Sequence, residues 1–319
     1  MSTKDSVLKL LLNSDGEISG SDIARSIKVS RNTVWKAIHS LKDEGWNITA
    51  TTNRGYRLVS EGLSDATIRG YLKTKNLGSS ITVLNTIDST NNFIKMHPNL
   101  PDGAIVVARE QTGGRGRRGR SFSSPLDKGI YFSVCYHPKM QDDAFDPGII
   151  TTAAAIAVCR AIESLSGLKA GIKWVNDVFL NDKKCCGILT EGIFDLETTQ
   201  VERVIIGIGV NVEKMLFPKE IADIATSLMN ESDCKISRPQ LLAEILNRLE
   251  PLLLEPDKKE LMREATSRSV ILGKKILVKK GNDTFEAIAI GLDCDGHLQV
   301  KNGDELLTLS SGEVSTVRL

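Results

Sequence analysis

The chain has 319 residues, 41% hydrophobic and 25% charged, and its 41 Lys and Arg against 40 Asp and Glu leave a net charge of +1. That balance belongs to a globular protein of two or three domains and excludes a disordered or collagen-like chain. No run of about 18 apolar residues argues for a membrane span. The first residues carry Lys4, Asp5 and Lys9 among their apolar positions and lack a secretory h-region, so a cytoplasmic location is expected. Near-neutral charge means that a nucleic-acid partner must be met by a local patch. Six cysteines lie scattered with no C-x-x-C, and the four histidines do not cluster around them. Neither a disulfide framework nor a zinc site is expected, and the adjacent Cys185 and Cys186 read as buried, reduced thiols.

The first sixty residues predict a separate unit. Val7, Leu8, Leu11 and Leu12 recur at helical spacing, and Ile18 follows in a short extended piece. Two further helices are expected, the first capped by Ser21 with Ile23 and Ile27 inward, the second capped by Ser30 with Val34, Ile38 and Leu41 inward. The break at Lys28 and Val29 makes them a helix-turn-helix. Trp46 and Ile48 alternate, "NRG" turns the chain and Tyr56 and Leu58 alternate back, giving a two-stranded wing. Through Ser60 there are nine Lys and Arg against six Asp and Glu, a net of +3. Ser30, Arg31, Asn32, Thr33, Lys36 and His39 on the second helix, with Arg54 and Arg57 at the wing, form a surface able to meet bases and phosphates. The same face also suits a small protein-interaction domain.

From about residue 65 a larger α/β body is expected. "AIVVA", "IYFSV" and "VIIGIGV" read as buried strands, and "GIITTAAAIAVCRAIESL" as a helix packed closely on a sheet. A polar, helix-rich stretch covers 237–265. From Val270 short alternating strands with Gly- and Asp-bearing turns predict a small β-barrel.

Between two of the strand-like runs lies "TGGRGRRGR", Thr112 to Arg120. Glycines let backbone N–H groups converge, and guanidiniums offer forked hydrogen bonds to phosphate or carboxylate. The Gly-Lys-Ser/Thr of a Walker A loop is missing, so any nucleotide is held by another device. Spacing alone leaves anion binding and nucleic-acid binding both open. Four like charges side by side predict a loop that stays mobile until an anion gathers it.

"DSTN" at 88–91, "EQTGGRGRRGRSF" at 110–122, "KWVND" at 173–177 and "KKCCGIL" at 183–189 together resemble biotin protein ligase. With the helix-turn-helix ahead of them, the chain resembles the bifunctional form that is also a biotin-operon repressor. The resemblance covers nearly the whole chain, including "GIGVNV" and the terminal β-module. It implies an α+β multidomain fold: a winged helix-turn-helix over 1–62, a central α/β ligase domain over 65–265 and an SH3-like β-barrel over 269–319. It implies ATP, magnesium and biotin, with biotinyl-5′-adenylate as intermediate. A biotin carboxyl carrier protein, operator DNA and a second copy of the chain are the implied partners, the homodimer promoted by the adenylate, and no membrane.

By the family pattern, Ser89, Thr90 and Asn91 border the biotin site and Gln111 contacts its head group. Arg115, Gly116 and Arg117 belong to the part of the loop that folds over biotin and the phosphate. Lys184, and not Lys183, aligns with the family lysine. Lys184 and Arg117 are thereby the expected catalytic pair. Arg120, Phe122, Asn211 and Arg318 are implied near the nucleotide, and Asp177 as a nucleotide or magnesium ligand. Asp88-Ser89-Thr90 also reads as a simple helix cap. Val175 stands where the family commonly has proline, and Phe122 where it has tryptophan; phenylalanine keeps a stacking face with less area. A lipoate or other acyl ligase on the same fold, and a ligand-sensing repressor without catalysis, are the alternatives.

Overall fold

A computed structural model of the chain describes residues 2–14, 16–44, 46–52, 54–60, 62–138, 147–194, 200–280, 283–310 and 312–316. They form two compact units, residues 1–71 with 237–242, and 72–236 with 243–319.

In the first unit α1 (Thr3–Leu12), α2 (Gly20–Ser26) and α3 (Arg31–Asp43) are followed by the strands β1 (Asn47–Thr51) and β2 (Gly55–Ser60) and by α4 (Asp65–Arg69). Val7, Leu11, Ile23, Val34, Ile38, Leu41, Trp46 and Ile48 close its core, as their spacing predicts. Ser30 caps α3 by accepting from the Thr33 amide. The cap of α2, however, is Ser19 and not Ser21: its hydroxyl accepts from the Asp22 amide. The reason lies one residue earlier. Ile18 exchanges backbone hydrogen bonds with Tyr56, so the chain leaves extended geometry at Ser19 and turns helical at once. Lys28, at φ 55°, makes the turn between α2 and α3.

The second unit is built on a seven-stranded sheet in the order β3-β4-β5-β9-β8-β7-β6. Its strands are β3 (Ile81–Ile87), β4 (Ile105–Gln111), β5 (Gly129–Tyr136), β6 (Gly171–Lys173), β7 (Asp177–Leu180), β8 (Lys183–Phe194) and β9 (Val201–Asn211). Only β3 and β4 run parallel, joined by the crossover helix α5 (Thr90–Met96). The N-terminus of α5 therefore sits at the carboxyl ends of both strands, where open sheets bind ligands.

Helix α6 (Pro147–Ser166) is long and apolar enough to cross a membrane by length and composition, with a mean hydropathy of 1.5. Most of it is buried, and Thr151 meets Thr190 of β8 at 2.8 Å, so its apolar surface is spent on the sheet. After α7 (Leu228–Glu231), α8 (Arg238–Leu254) and α9 (Lys258–Arg268) comes a five-stranded antiparallel sheet ordered β13-β12-β11-β10-β14. It comprises β10 (Lys275–Lys280), β11 (Asp283–Leu292), β12 (Leu298–Asn302), β13 (Glu305–Leu309) and β14 (Glu313–Thr316). Trp174 joins the core of this sheet and donates its indole N–H to the Gly296 carbonyl at 2.9 Å.

Gly55 opens the return strand of the wing at φ 120°, and a Cβ there would lie 2.1 Å from the Ile18 carbonyl oxygen. Gly55→Ala is therefore expected to destabilise the N-terminal unit by about 1–3 kcal/mol. Calorimetry should show its transition moving down while that of the second unit stays in place.

Candidate functional site

Lys184 and Gly187 are three residues apart, and in a regular strand they would face opposite sides of the sheet. Strand β8 carries a bulge against β7: Phe179 pairs with Lys184 and Val178 with Cys186, so Cys185 has no opposite number. One extra residue re-aims the side chain before it. Lys184 thereby comes to lie over Gly187, where a Cβ would meet its Nζ at 3.1 Å. Cys185 and Cys186 are both fully buried, and burial pushes both thiols far up, so they are neutral and unreactive.

Gly187 pairs with Gly209, and Gly207 follows two residues away on the same face of β9. The three glycines make a floor without side chains. A Cβ on Gly207 would strike Asn91 Oδ1 at 2.2 Å, and one on Gly209 would strike the Phe122 ring at 2.6 Å. Phe122 thus rests on bare backbone and lines two adjoining cavities.

One cavity has a polar wall built by α5 and the end of β4, including Ser89, Thr90, Asn91 and Gln111. Ser89 stands at the N-cap position, as the cap reading has it, and its hydroxyl makes no capping bond. Thr90 donates its amide to Gln111 Oε1 at 2.9 Å, and Gln111 donates to Ser124 Oγ at 2.9 Å. Asn91 donates to Glu191 Oε2 at 2.8 Å, and Ser133 donates to Asn91 Oδ1 at 2.5 Å. Ser124, Ser133 and Glu191 escaped the sequence reading. Ser133 sits inside an apolar strand pattern, where a lone serine carries no signal.

The other cavity is lined by Arg115, Gly116, Arg117 and Arg120 of the loop, with Asn176, Asp177 and Lys184 opposite. The loop is drawn as a hairpin: Gly116 N–H donates to the Arg120 carbonyl and Phe122 N–H to that of Gly114. Arg115 donates to Asn92 Oδ1 at 2.9 Å, Arg117 to Asn176 Oδ1 at 3.3 Å and Arg118 to the Lys279 carbonyl at 3.4 Å. Asn176 is turned to do this because its Nδ2 donates to the Ile188 carbonyl and to Asp177 Oδ1. Lys184 Nζ lies 2.7 Å from Asp177 Oδ1, in an ion pair, and 5.9 Å from the centre of the Phe122 ring. Lys183 instead donates to the Ala222 carbonyl. Asp177 Oδ1 carries both contacts, which leaves its second oxygen as the one suited to a magnesium ion, a single carboxylate being an ordinary protein share of such a site.

Of the expected residues, Asn211 does not line these cavities. Asn211 is buried at the end of β9 and donates to the Thr226 carbonyl at 3.0 Å, supporting the segment that bridges to Lys184 at Ala225. Arg318 lies outside the described residues.

In the first unit, Ser30, Arg31, Asn32, Lys36 and Arg54 are exposed and Thr33 is half-buried. The Ser30 hydroxyl, besides capping α3, meets Thr33 Oγ1 at 2.8 Å. Trp35, unremarked in the sequence, is half-exposed on the same face and packs on His39 with ring centres 4.0 Å apart. Its neighbour Val34 points inward; a step of one residue on a helix turns the side chain by about a quarter circle.

An arginine loop facing a paired lysine and aspartate, beside a polar wall on a glycine floor, defines a site for activating a carboxylate with a nucleotide. Comparison with known proteins agrees. Residues 83–211 match the Biotin/lipoate A/B protein ligase family, 3–57 an HTH domain and 271–317 the Biotin protein ligase C terminal domain. The chain is 34% identical to the Bifunctional ligase/repressor BirA of Bacillus spizizenii over 93% of both chains, and 27% identical to that of Escherichia coli over 97% of this chain and 96% of the other. Its fold is similar to the biotin protein ligase from Aquifex aeolicus in complex with biotin and ATP, with a TM-score of 0.65 at 28% identity, covering 76% of this chain and all of that one. The chain belongs to the biotin protein ligase family, in its bifunctional ligase and repressor form.

The glycine floor makes a sharp prediction. Gly209→Ala is expected to evict the Phe122 ring and weaken nucleotide binding at least tenfold, about 1.4 kcal/mol, with little change in melting temperature. Titration calorimetry with ATP measures it, and unchanged affinity refutes the role given to the floor.

Proposed function

We propose that this protein joins biotin to a lysine of a biotin carboxyl carrier protein through biotinyl-5′-adenylate, and that the adenylate-loaded dimer represses transcription at an operator. The observation that carries the ligase half is the convergence of Lys184, Arg117 and the Ser89–Asn91 wall on adjoining cavities that share Phe122. The relative from Aquifex aeolicus holds biotin and ATP, which supports the same pair of substrates here.

In the first step a biotin carboxylate oxygen attacks the α-phosphorus of ATP, and the bond to the bridging oxygen breaks as pyrophosphate leaves. Lys184 exchanges Asp177 for the approaching carboxylate and phosphate, whose negative charges would otherwise repel. Arg117, with Arg115 and Arg120, holds the phosphate, and Phe122 offers its face to adenine. Magnesium, bound with ATP, supplies charge neutralisation, and Asp177 is the residue to hold it. In the second step the neutral amine of the carrier lysine attacks the acyl carbon, AMP departs, and the proton lost by nitrogen passes to solvent. Ser89, Thr90, Asn91 and Gln111 orient the ureido ring throughout, so the reaction is largely one of positioning.

The repressor half rests on the N-terminal unit, where Arg31, Asn32 and Lys36 face outward on α3 and Arg54 at the wing. Two such units on one two-fold axis fit a palindromic operator, and the dimer that brings them together is promoted by the adenylate. By linkage, whatever the adenylate adds to dimer affinity the dimer returns as tighter adenylate binding. Unmodified carrier protein consumes the adenylate and lifts repression. Both activities belong in the cytoplasm.

Lys184→Ala is expected to cut adenylate formation by about 10²–10³ while Lys183→Ala costs little; pyrophosphate exchange with ATP, magnesium and biotin measures both, and equal losses contradict the assignment. Removing residues 1–62 should leave carrier biotinylation detectable and abolish operator binding. Sedimentation of the full chain should show association strengthening with biotinyl-5′-adenylate; the same association state with and without it, across concentrations spanning the dimer constant, rules the switch out.

A further inference from the structure

The wall beside the glycine floor is made of groups that can face either way. Hydroxyls of Ser133 and Thr90 donate or accept, and the amide of Asn91 turns over at little cost in shape. Something must decide which way these hydrogen bonds run, because the answer determines whether the wall offers a ligand donors or acceptors. Gln111 is settled locally: the Thr90 amide can only donate, so Oε1 must receive it. Asn91 is settled only weakly by the backbone, through one long contact. Its Nδ2 reaches Glu191 Oε2 at 2.8 Å and the Leu189 carbonyl at 3.4 Å, both acceptors.

Glu191 is the charged group that meets Asn91. It lies on β8 four residues beyond Gly187, with Lys95 at 2.8 Å and Arg115 at 3.6 Å. Burial pushes its carboxyl up, but hydrogen bonds from Lys95 and Asn91 and the charges of Lys95 and Arg115 outweigh it and hold it below the usual carboxylate range. An ionised carboxylate only accepts. Both Asn91 N–H groups are then taken, and Oδ1 is turned toward Ser133, which donates to it at 2.5 Å. With its proton so used, Ser133 no longer donates to Thr90 Oγ1, 2.7 Å away, and the Thr90 proton goes to Ser133 or to Gln111 Oε1 at 3.2 Å. What Asn91 and Thr90 have left for a ligand is oxygen lone pairs.

We propose that Glu191 is a positioning residue that sets the hydrogen-bond polarity of this wall, making it accept from N–H donors of the bound head group and refuse a ring that offers an acceptor in their place. The inference rests on the biotin reading, since a ureido ring presents two N–H donors. A neutral amide at position 191 loses the polarity anchor: Asn91 then turns over, presents Nδ2 where Oδ1 stood, and the wall tolerates either pattern. Sites that bury hydrogen-bonding groups discriminate strongly against a ligand that leaves them unmatched.

The test compares adenylation of biotin with that of its cyclic carbamate analogue, in which one ureido N–H is replaced by oxygen, as the ratio of kcat/KM values on the full-length protein. Glu191→Gln is expected to lower the wild-type preference for biotin by about tenfold or more. Lys95→Met, which removes the ion pair but leaves the carboxylate, should keep the preference; a purely structural ion-pair role predicts that both variants behave alike. A Glu191→Gln preference within twofold of wild type overturns the inference. Should that variant not fold, Glu191→Ala removes the same carboxylate, with the same fall expected and an unchanged ratio equally fatal. Wild-type protein that adenylates neither compound refutes the biotin reading itself and this inference with it.

Discussion

One extra residue in β8 decides where the reactive cation stands. Without the bulge at Cys185, Lys184 would leave the face that carries Gly187, and the ion pair with Asp177 would have no reason to form there. The bulge also explains the paired cysteines. Both fall on buried backbone, where a small side chain of low polarity fits and a charge would be costly. The lysine itself is half-buried and kept beside a carboxylate, so it carries its charge without paying the full penalty of desolvation.

The glycine floor places a second demand on the fold. It admits Asn91 and Phe122 only if α5 and the arginine loop are held at fixed heights above it. A seven-residue helix such as α5 has little stability of its own. It is gripped from two sides. Arg203 of β9, almost fully buried, donates to the Ile94 and His97 carbonyls at the C-terminal end, where the helix carries partial negative charge. Glu191 holds Asn91 and Lys95 along the side. Tertiary contacts, more than helix propensity, therefore fix the residues that line the cavity.

This division explains what was legible in the sequence. Helical periodicity placed Val34, Ile38 and Leu41 correctly, because one inward face repeats regularly. The motifs brought Ser89, Thr90, Asn91, Arg117, Asp177 and Lys184 to two adjoining cavities. Hidden were residues whose role depends on a partner distant in the chain: Ser133 on Asn91, Asn176 on Arg117, Glu191 on both α5 and the loop. Ser21 failed as a cap because a bridge from Ile18 to Tyr56, nearly forty residues away, set where the helix begins. The contact of Asn211 with the Thr226 carbonyl at the end of β9 is likewise one that no local pattern shows.

In the arginine loop several of the guanidiniums rest on uncharged acceptors. Asn92, Asn176 and the Lys279 carbonyl are uncharged acceptors for Arg115, Arg117 and Arg118, and Arg115 also lies 3.6 Å from Glu191. A hydrogen bond between neutral partners nets about 0.5–1.5 kcal/mol, against about 1.5–3 kcal/mol where a charged group takes part. The guanidiniums already supply one charge, so a phosphate gains over these acceptors mainly through its own charge in a cavity with limited water. Stronger internal partners, such as a carboxylate for each arginine, would hold the loop more firmly and make it indifferent to phosphate. Weaker ones would leave the ordering of nine residues to be met at the moment of binding, at about 1–2 kcal/mol for each. Neutral acceptors sit between these limits: they shape the hairpin in advance and still yield to an anion.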